Sequence, residues 1–365
     1  MVTVRRVGAE EEMFLVDPKS YRVLPVSRGT MRADERIDDE REELEQELFL
    51  QQIEINTEPT TDLTELRAHL VAGRERASKA ATAEGAAVLA VPTSLFADAV
   101  AGNVTPKPRF KEMLELYGEV GRRGVVCGMH VHVQIDGDEE GVRVLDRIQP
   151  WLPALVALSA NSPFNDGVDT TYACWREQVW DGWPSAGPVE PFRDAAGYHE
   201  AVRRLVGSGA VIDKAMVYFD ARLAELHPTV EIRTSDVCTD VNDAIVIAAL
   251  TRALVETSAT TTELETPWRI EMLRAGRFLA RRYGLIGSLL DPRTAEPRPA
   301  REVVGALLDH VKEALHAAGD DEVVRDGVER LLRDGGGAGR QRAVAGDDLD
   351  LDAVGKDLLR RTHSA

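Results

Sequence analysis

Gly128-Met129-His130-Val131-His132-Val133-Gln134-Ile135 alternates with the two-residue period of a β-strand, so His130, His132 and Gln134 share one face and Met129, Val131, Val133 and Ile135 the other. The apolar face belongs to a core. Three other stretches repeat the unusual chemistry of the polar face. In Val7-Gly8-Ala9-Glu10-Glu11-Glu12-Met13 the period puts Glu10 and Glu12 together. In Gln52-Ile53-Glu54-Ile55-Asn56 it groups Gln52, Glu54 and Asn56 against Ile53 and Ile55, and in Val230-Glu231-Ile232-Arg233 it sets Glu231 and Arg233 against Val230 and Ile232. Any half-exposed antiparallel strand alternates in this way. Solvated faces, however, mix Lys, Thr, Arg and Glu, whereas these four carry Glu, His, Gln and Asn with a single Arg. Oxygen ligands plus an imidazole suit a hard divalent cation, Mg²⁺ or Mn²⁺, better than a thiolate zinc site. Paired into one sheet, the carboxylates would repel one another, and cations between them remove that cost.

Cys127-Gly128-Met129-His130 invites a softer zinc reading, but Cys127 falls on the face opposite His130 and reads as a small buried thiol. Cys127, Cys174 and Cys238 are odd in number, far apart and without a CxxC pair, which suits reduced thiols. The remaining histidines, His69, His199, His227, His310, His316 and His363, lie singly in helix or loop contexts.

Around these strands the 365-residue chain is 44% hydrophobic and 29% charged, the balance of a globular protein of one large or two ordinary domains. With 62 acidic against 44 basic residues its net charge is −18, which repels phosphate backbones and anionic lipid, so neither nucleic acid nor membrane is expected as a partner. The N-terminus, Met1 to Arg6, has no apolar signal core and no run is long enough to span a bilayer, so a cytoplasmic location is expected. No P-loop and no internal repeat occur.

Asp62 with Glu65 three residues on, followed by Leu66 and Leu70, predicts a capped helix from about Leu63 to Ala83. A buried strand is expected at Val88 to Val91, a helix at Arg109 to Val120, and an apolar helix from Arg143 to Ala160 broken by Pro150 and Pro153. The Trp-Gly-Pro-rich segment Asn161 to Pro188 is a candidate substrate loop. Asp240 caps a helix to about Glu256, and helices follow at Trp268 to Arg282, Arg301 to Ala317 and Glu322 to Arg333. A break at Gly335-Gly336-Gly337 and one short helix complete the chain.

Val7-Gly8-Ala9-Glu10-Glu11-Glu12, Leu15-Val16-Asp17-Pro18, Glu47-Leu48-Phe49, Gln52 to Thr57, Cys127 to Val133, Asn161-Ser162-Pro163-Phe164, Tyr172 with Arg176 and Trp180, Gly182-Trp183-Pro184, and Thr229 to Arg233 with Asp236 run in the same order as in one family. The chain resembles the bacterial carboxylate-amine ligases described as type 2 glutamate–cysteine ligases, in the glutamine synthetase superfamily. The resemblance implies an α+β fold, a curved antiparallel sheet with ATP and Mg²⁺ (or Mn²⁺) on its concave face and helices on its convex face. Residues 1–290 would form the ATP-holding catalytic domain and 291–365 a helical segment packed on it. By the same resemblance Glu10, His130 and Glu231 hold the cation nearest the ATP phosphates, and Glu12, Glu47 and Glu54 hold the cation or cations nearer the acyl substrate. His132 and Arg233 match positions that touch the transferred phosphate, and Arg176 matches a substrate-carboxylate arginine. Glu47 and Glu54 are an odd number of residues apart, so a regular strand would put them on opposite faces and a bulge or turn is needed between them.

The implied activity is ATP-dependent amide formation of γ-glutamyl type through an acyl phosphate, with weak glutamate–cysteine ligase activity, small-molecule substrates and a homo-oligomer, a dimer, as the assembly. Three alternatives stand beside it. His130-Val131-His132 is also an amidohydrolase-type H-x-H, although that barrel wants regular βα alternation. An inactive nucleotide-binding regulator would keep the same face. A dedicated glutamate–cysteine ligase of a thiol pathway is the third.

Overall fold

A computed structural model describes residues 4–37, 44–97, 103–261 and 268–364. Met1 to Thr3, at the start of the N-terminal reading, lie outside these residues. The four alternating stretches form strands Val7–Val16, Gln52–Asn56, Gly128–Gln134 and Thr229–Asp236. They belong to a seven-stranded sheet whose antiparallel path runs Glu45–Gln46, Gln52–Asn56, Val7–Val16, Gly128–Gln134, Thr229–Asp236, Ala221–Leu223, with Ala87–Leu89 on the far end of Val7–Val16.

One face of this sheet is buried as the alternation requires. Val7, Ala9, Met129, Val131, Val133, Val230 and Ile232 join one core with Leu66 and Leu70 of the Leu63–Thr82 helix and with most of the Val241–Thr260 helix. Val303, Leu307, Val328 and Leu331 of the helices Ala300–Ala318 and Asp321–Asp334 share that core. A second core gathers Met13 to Val16, Ile53, Ile55 and Cys127 with Leu351, Val354 and Leu358 of the Leu351–Thr362 helix. All three cysteines are free and buried. Helices on one side and a polar face on the other make an α+β fold. Glu11 breaks the apolar face. It is fully buried and takes a two-pronged ion pair from Arg74 at 2.7 and 2.8 Å, whose other donors reach the carbonyls of Cys238 and Thr239. A buried charge left without such a partner costs several kcal/mol, about 3–5.

The Asp62 cap forms, with its carboxylate accepting from the N–H groups of Thr64 and Glu65, but Glu65 turns to the Thr60 hydroxyl instead of closing the box. Several boundaries differ from the sequence reading. The helix expected at Arg109 to Val120 is two, Pro108–Tyr117 and Glu119–Arg123, because Gly118 between them has a positive φ of 55°. The apolar helix begins earlier, at Asp138, and divides into Asp138–Ile148 and Leu152–Ser159, with Pro153 in the first turn of the second, where its missing N–H costs nothing. After the glycine break there are two helices, not one: Gly336–Ala345 begins within the glycines, and Leu351–Thr362 is capped by Asp350. The Asn161 to Pro188 segment holds a small hairpin, Phe164–Asn165 with Val168–Asp169, and the short helix Trp175–Trp180.

Candidate functional site: two carboxylate groups on one sheet face

Strand register decides which polar residues meet. Glu12 stands opposite Glu54, Glu10 opposite His130 and Asn56, and His132 opposite Glu231. Between Met129 and Val131 the pairing with the Thr229–Asp236 strand slips, because three steps from Ile232 to Ser235 face two from Val131 to Met129. Such a bulge inverts the side-chain parity beyond it. Asp236 therefore stands opposite Gly128, on the same face as His130.

Two groups result. In one, single ligand atoms of Glu10, His130 and Glu231 lie within 4.8 Å of one another; in the other, those of Glu12, Glu47 and Glu54 do. The turn at Leu48 to Gln51 brings Glu47 onto the face that strict alternation denied it. His130 stands between the groups: its Nδ1 is 2.8 Å from Glu10 Oε2 and 3.9 Å from Glu231 Oε1, while its buried Nε2, 4.0 Å from Glu12 Oε1, has no hydrogen-bond partner. Glu10 Oε1 is 3.0 Å from His132 Nε2, whose Nδ1 meets the Thr229 hydroxyl at 3.0 Å. The main-chain N–H of Gly128 donates to Glu12 Oε2 at 2.5 Å. Carboxylate oxygens with one imidazole, and a buried imidazole nitrogen lacking a partner, are a donor set that fits a hard divalent cation.

Three arginines frame the groups. Arg233 donates through Nη1 to Glu231, and its guanidinium lies 5.8 Å from the Tyr218 ring centroid. Arg222 forks onto Glu231 from the neighbouring strand, at 2.6 and 3.2 Å. Arg176 is buried against Gly128: a Cβ there would come within 2.2 Å of Arg176 Nη2, so only glycine leaves room for the guanidinium. Arg176 gives Nη1 to Glu177 and Nη2 to the carbonyl of Arg233, with Nε unpartnered.

The electrostatics of the two groups diverge. Burial pushes the carboxyls of Glu10 and Glu231 up, but His130 and His132 at the first, and Arg233 and Arg222 at the second, more than reverse it and hold both well below the usual carboxylate range. Burial, aided by Arg233, lowers His130; for His132 burial is outweighed by Glu10, and the imidazole is raised. Glu54 goes the other way, driven well up by burial and then by the charges of Glu47, Glu10 and Glu12, and burial likewise raises Glu12. Behind Arg176, burial pushes Asp236 up to about 6 even though it accepts from Asn161, Ser162 and Cys174.

Sequence reasoning passed over Arg222 and Tyr218. Ala221-Arg222-Leu223 has one polar residue between two apolar ones and is joined to the Glu231 strand through His227-Pro228, so a hairpin search backwards from Glu231 would have found Arg222. Tyr218 lies in an aromatic cluster with Trp180 and Trp183, at centroid distances of 4.8 and 5.5 Å, and has no comparable signal.

Among the described residues no helix is long and apolar enough to cross a membrane. The chain is 44% identical over 371 residues to a Streptomyces coelicolor protein named "Putative glutamate--cysteine ligase 2", covering 99% of this chain and 100% of that one. It is 46% identical to a Nocardioides sp. protein named "Putative glutamate--cysteine ligase 2-1", covering 99% and 97%. The fold is similar to a crystal structure of a bifunctional glutathione synthetase from Pasteurella multocida (TM-score 0.75, 15% identity, 98% of this chain and 52% of that one). It is also similar to a glutamate–cysteine ligase from Francisella tularensis in complex with AMP (TM-score 0.73, 11% identity, 100% and 90%). The sequence profile of glutamate-cysteine ligase family 2 (GCS2) matches residues 6–347, and the chain belongs to that family.

Proposed function

We propose that this protein is an ATP-dependent carboxylate–amine ligase that forms an amide of γ-glutamyl type, with glutamate–cysteine ligation among its activities, in the cytoplasm. The observation that carries the reading is the pair of carboxylate groups sharing His130 on one sheet face, beside an arginine with unspent donors. Family membership and the names of the relatives support the same reaction class.

Joining a carboxylate to an amine requires loss of an oxide, which is not a leaving group at neutral pH. In the proposed route a carboxylate oxygen of the acid attacks the γ-phosphorus of ATP and ADP leaves; the neutral amine then attacks the acyl carbon, phosphate leaves with the C–O bond electrons, and the nitrogen gives up one proton to water. Phosphoryl transfer is mainly positioning and charge neutralisation. Glu10, His130 and Glu231 would hold one divalent cation, and Glu12, Glu47 and Glu54 the other or others. When bound, these cations neutralise charge on the phosphate and acyl oxygens. Arg233 would meet the equatorial oxygens of the transferred phosphoryl group with two parallel N–H donors, and His132, steadied by Thr229, would donate to the same group. Arg176 keeps unspent N–H for the acid's carboxylate.

ADP release measured over a matrix of amino acids and amines, with mass detection of ligated product, tests the proposal. Stoichiometric ADP and amide are expected. Metal-dependent hydrolysis without ATP turnover, or nucleotide binding without product across the panel, would overturn it.

A further inference from the structure

We infer that Arg222 is a positioning residue for phosphoryl transfer: it keeps Glu231 compensated and in place, so that Arg233 can leave that carboxylate for the phosphate. The inference rests on the ligase reading above and deepens it.

Two guanidiniums meet Glu231, but their donors are spent differently. Arg222 stands opposite Glu231 across the hairpin, with Nε 2.6 Å from Oε2 and Nη2 3.2 Å from Oε1. Its Nη1 donates to the carbonyls of Ala215 and Val217, at 3.1 and 3.2 Å. Most of the five N–H groups of a guanidinium are thereby used, and the main-chain anchors fix the fork whatever Glu231 does. Arg222 has little left to offer a ligand.

Arg233 is the reverse. Only Nη1 is engaged, with Glu231 and, at 3.5 Å, the Nδ1 of His130, and its Nε is buried with no hydrogen-bond partner. The Tyr218 ring steadies the guanidinium without consuming a donor. A buried donor without a partner is unfavourable, and phosphate oxygens would satisfy it. When Arg233 turns to them, Glu231, only 2% exposed, would be stripped of one counter-charge inside the protein. Arg222 is the protein charge that remains, beside any cation that Glu231 would hold, and its fork fixes the carboxylate where Arg233 can let go of it.

The test is steady-state ADP release by the full chain in wild type, R222Q, R222K, R233K and the double variants. R222Q is expected to lower kcat about tenfold or more while KM for Mg·ATP moves less than about threefold, and R222K, with charge but no fork, to recover part of the loss. In the R233K background R222Q should cost less than about threefold, since the fork to be released is already gone. A merely structural Arg222 would cost the same in both backgrounds, and that result overturns the inference. So does an unchanged kcat, or a raised KM with kcat intact, which would make Arg222 a phosphate contact. If R222Q does not fold, R222K and R222K/R233K give the same comparison. A wild type that forms no ADP with any acid and amine overturns the ligase reading and this inference with it; an active wild type with an unaffected R222Q overturns this inference alone.

Discussion

The Glu10–His130–Glu231 group and the Glu12–Glu47–Glu54 group share a sheet face and a histidine, yet differ in what surrounds their charge. The first carries its own partners: His130 and His132 hydrogen-bonded to Glu10, and the charges of Arg222 and Arg233 on Glu231, and both carboxyls are held down as a result. The second has three mutually close carboxylates and, among the described residues, weaker compensation: the Gly128 N–H, the facing edge of His130 and the more distant charge of Arg176 on Glu12, the Asn56 amide on Glu54 and the Leu48 N–H on Glu47, so burial and repulsion drive Glu54 up. Residue type alone thus does not set the behaviour of an acidic cluster. The partners do. A group whose carboxylates already have charged partners gains less Coulomb energy from an added cation than one whose carboxylates face mainly one another.

The largest expected effect removes the distinction altogether. In excess chelator, ADP formation and amide formation should both cease, because neither Glu12, Glu47 and Glu54 nor Glu10 and Glu231 can face a polyphosphate without cations between the charges. Ligation that persists in chelator would break the comparison at its root. Next in size, Arg233→Lys should fold and bind Mg·ATP within a few-fold but lose on the order of a hundredfold in turnover, since an ammonium cannot meet two phosphate oxygens as a planar fork does. Turnover near wild type with a lowered melting temperature would make Arg233 only the ion-pair partner of Glu231.

A smaller effect is expected where the two groups adjoin. Gly128→Ala puts a methyl group within 2.2 Å of Arg176 Nη2, and Arg176 is only 1% exposed, with Glu177 and the Arg233 carbonyl holding it. Overpacking of this kind costs about 1–3 kcal/mol, so thermal melts should show a loss of several degrees. An unchanged melting temperature would mean that Arg176 is free to move aside.

Much of this was legible in the sequence because the two-residue period is strict: Met129, Val131 and Val133 are fully buried, and Glu10, Glu12, Glu54, His130 and Glu231 meet as their parity requires. What departs from the period could not be read from it. Glu47 and Asp236, which the period sets aside and the family resemblance picks out, reach the face through a turn and a bulge, while Arg222, missed altogether, comes from a strand of three residues, too short to declare a pattern. Glu11 is an apolar-face residue only because Arg74, distant in sequence, compensates it. The helix ends missed at Gly118 and Asp138 depend on backbone conformation and capping, which composition indicates weakly.

The smallest effect is the most direct measure of the difference between the groups. Glu54 is raised in the folded protein relative to the unfolded chain, first by burial and then by Glu47, Glu10 and Glu12. A group with a raised folded value contributes stability that is fully present below its unfolded value, near 4.5, and is lost as pH rises through the folded value. Metal-free wild type should therefore lose stability from mildly acidic pH upward at this position. Glu54→Gln keeps the shape of the protonated carboxyl and cannot ionise, so in chelator it should melt at or above the wild-type temperature, with a gap that widens with pH to on the order of 2 °C. Added Mg²⁺ should close or invert the gap, because only the wild type regains a carboxylate–cation contact. Glu231→Gln should do the opposite in chelator. It leaves Arg222 and Arg233 facing each other without their shared carboxylate, and like charges in a buried site are destabilising. Differential scanning fluorimetry of the two variants at several pH values, with and without Mg²⁺, reads both; parallel melting curves for wild type and Glu54→Gln would show that the second group is compensated after all.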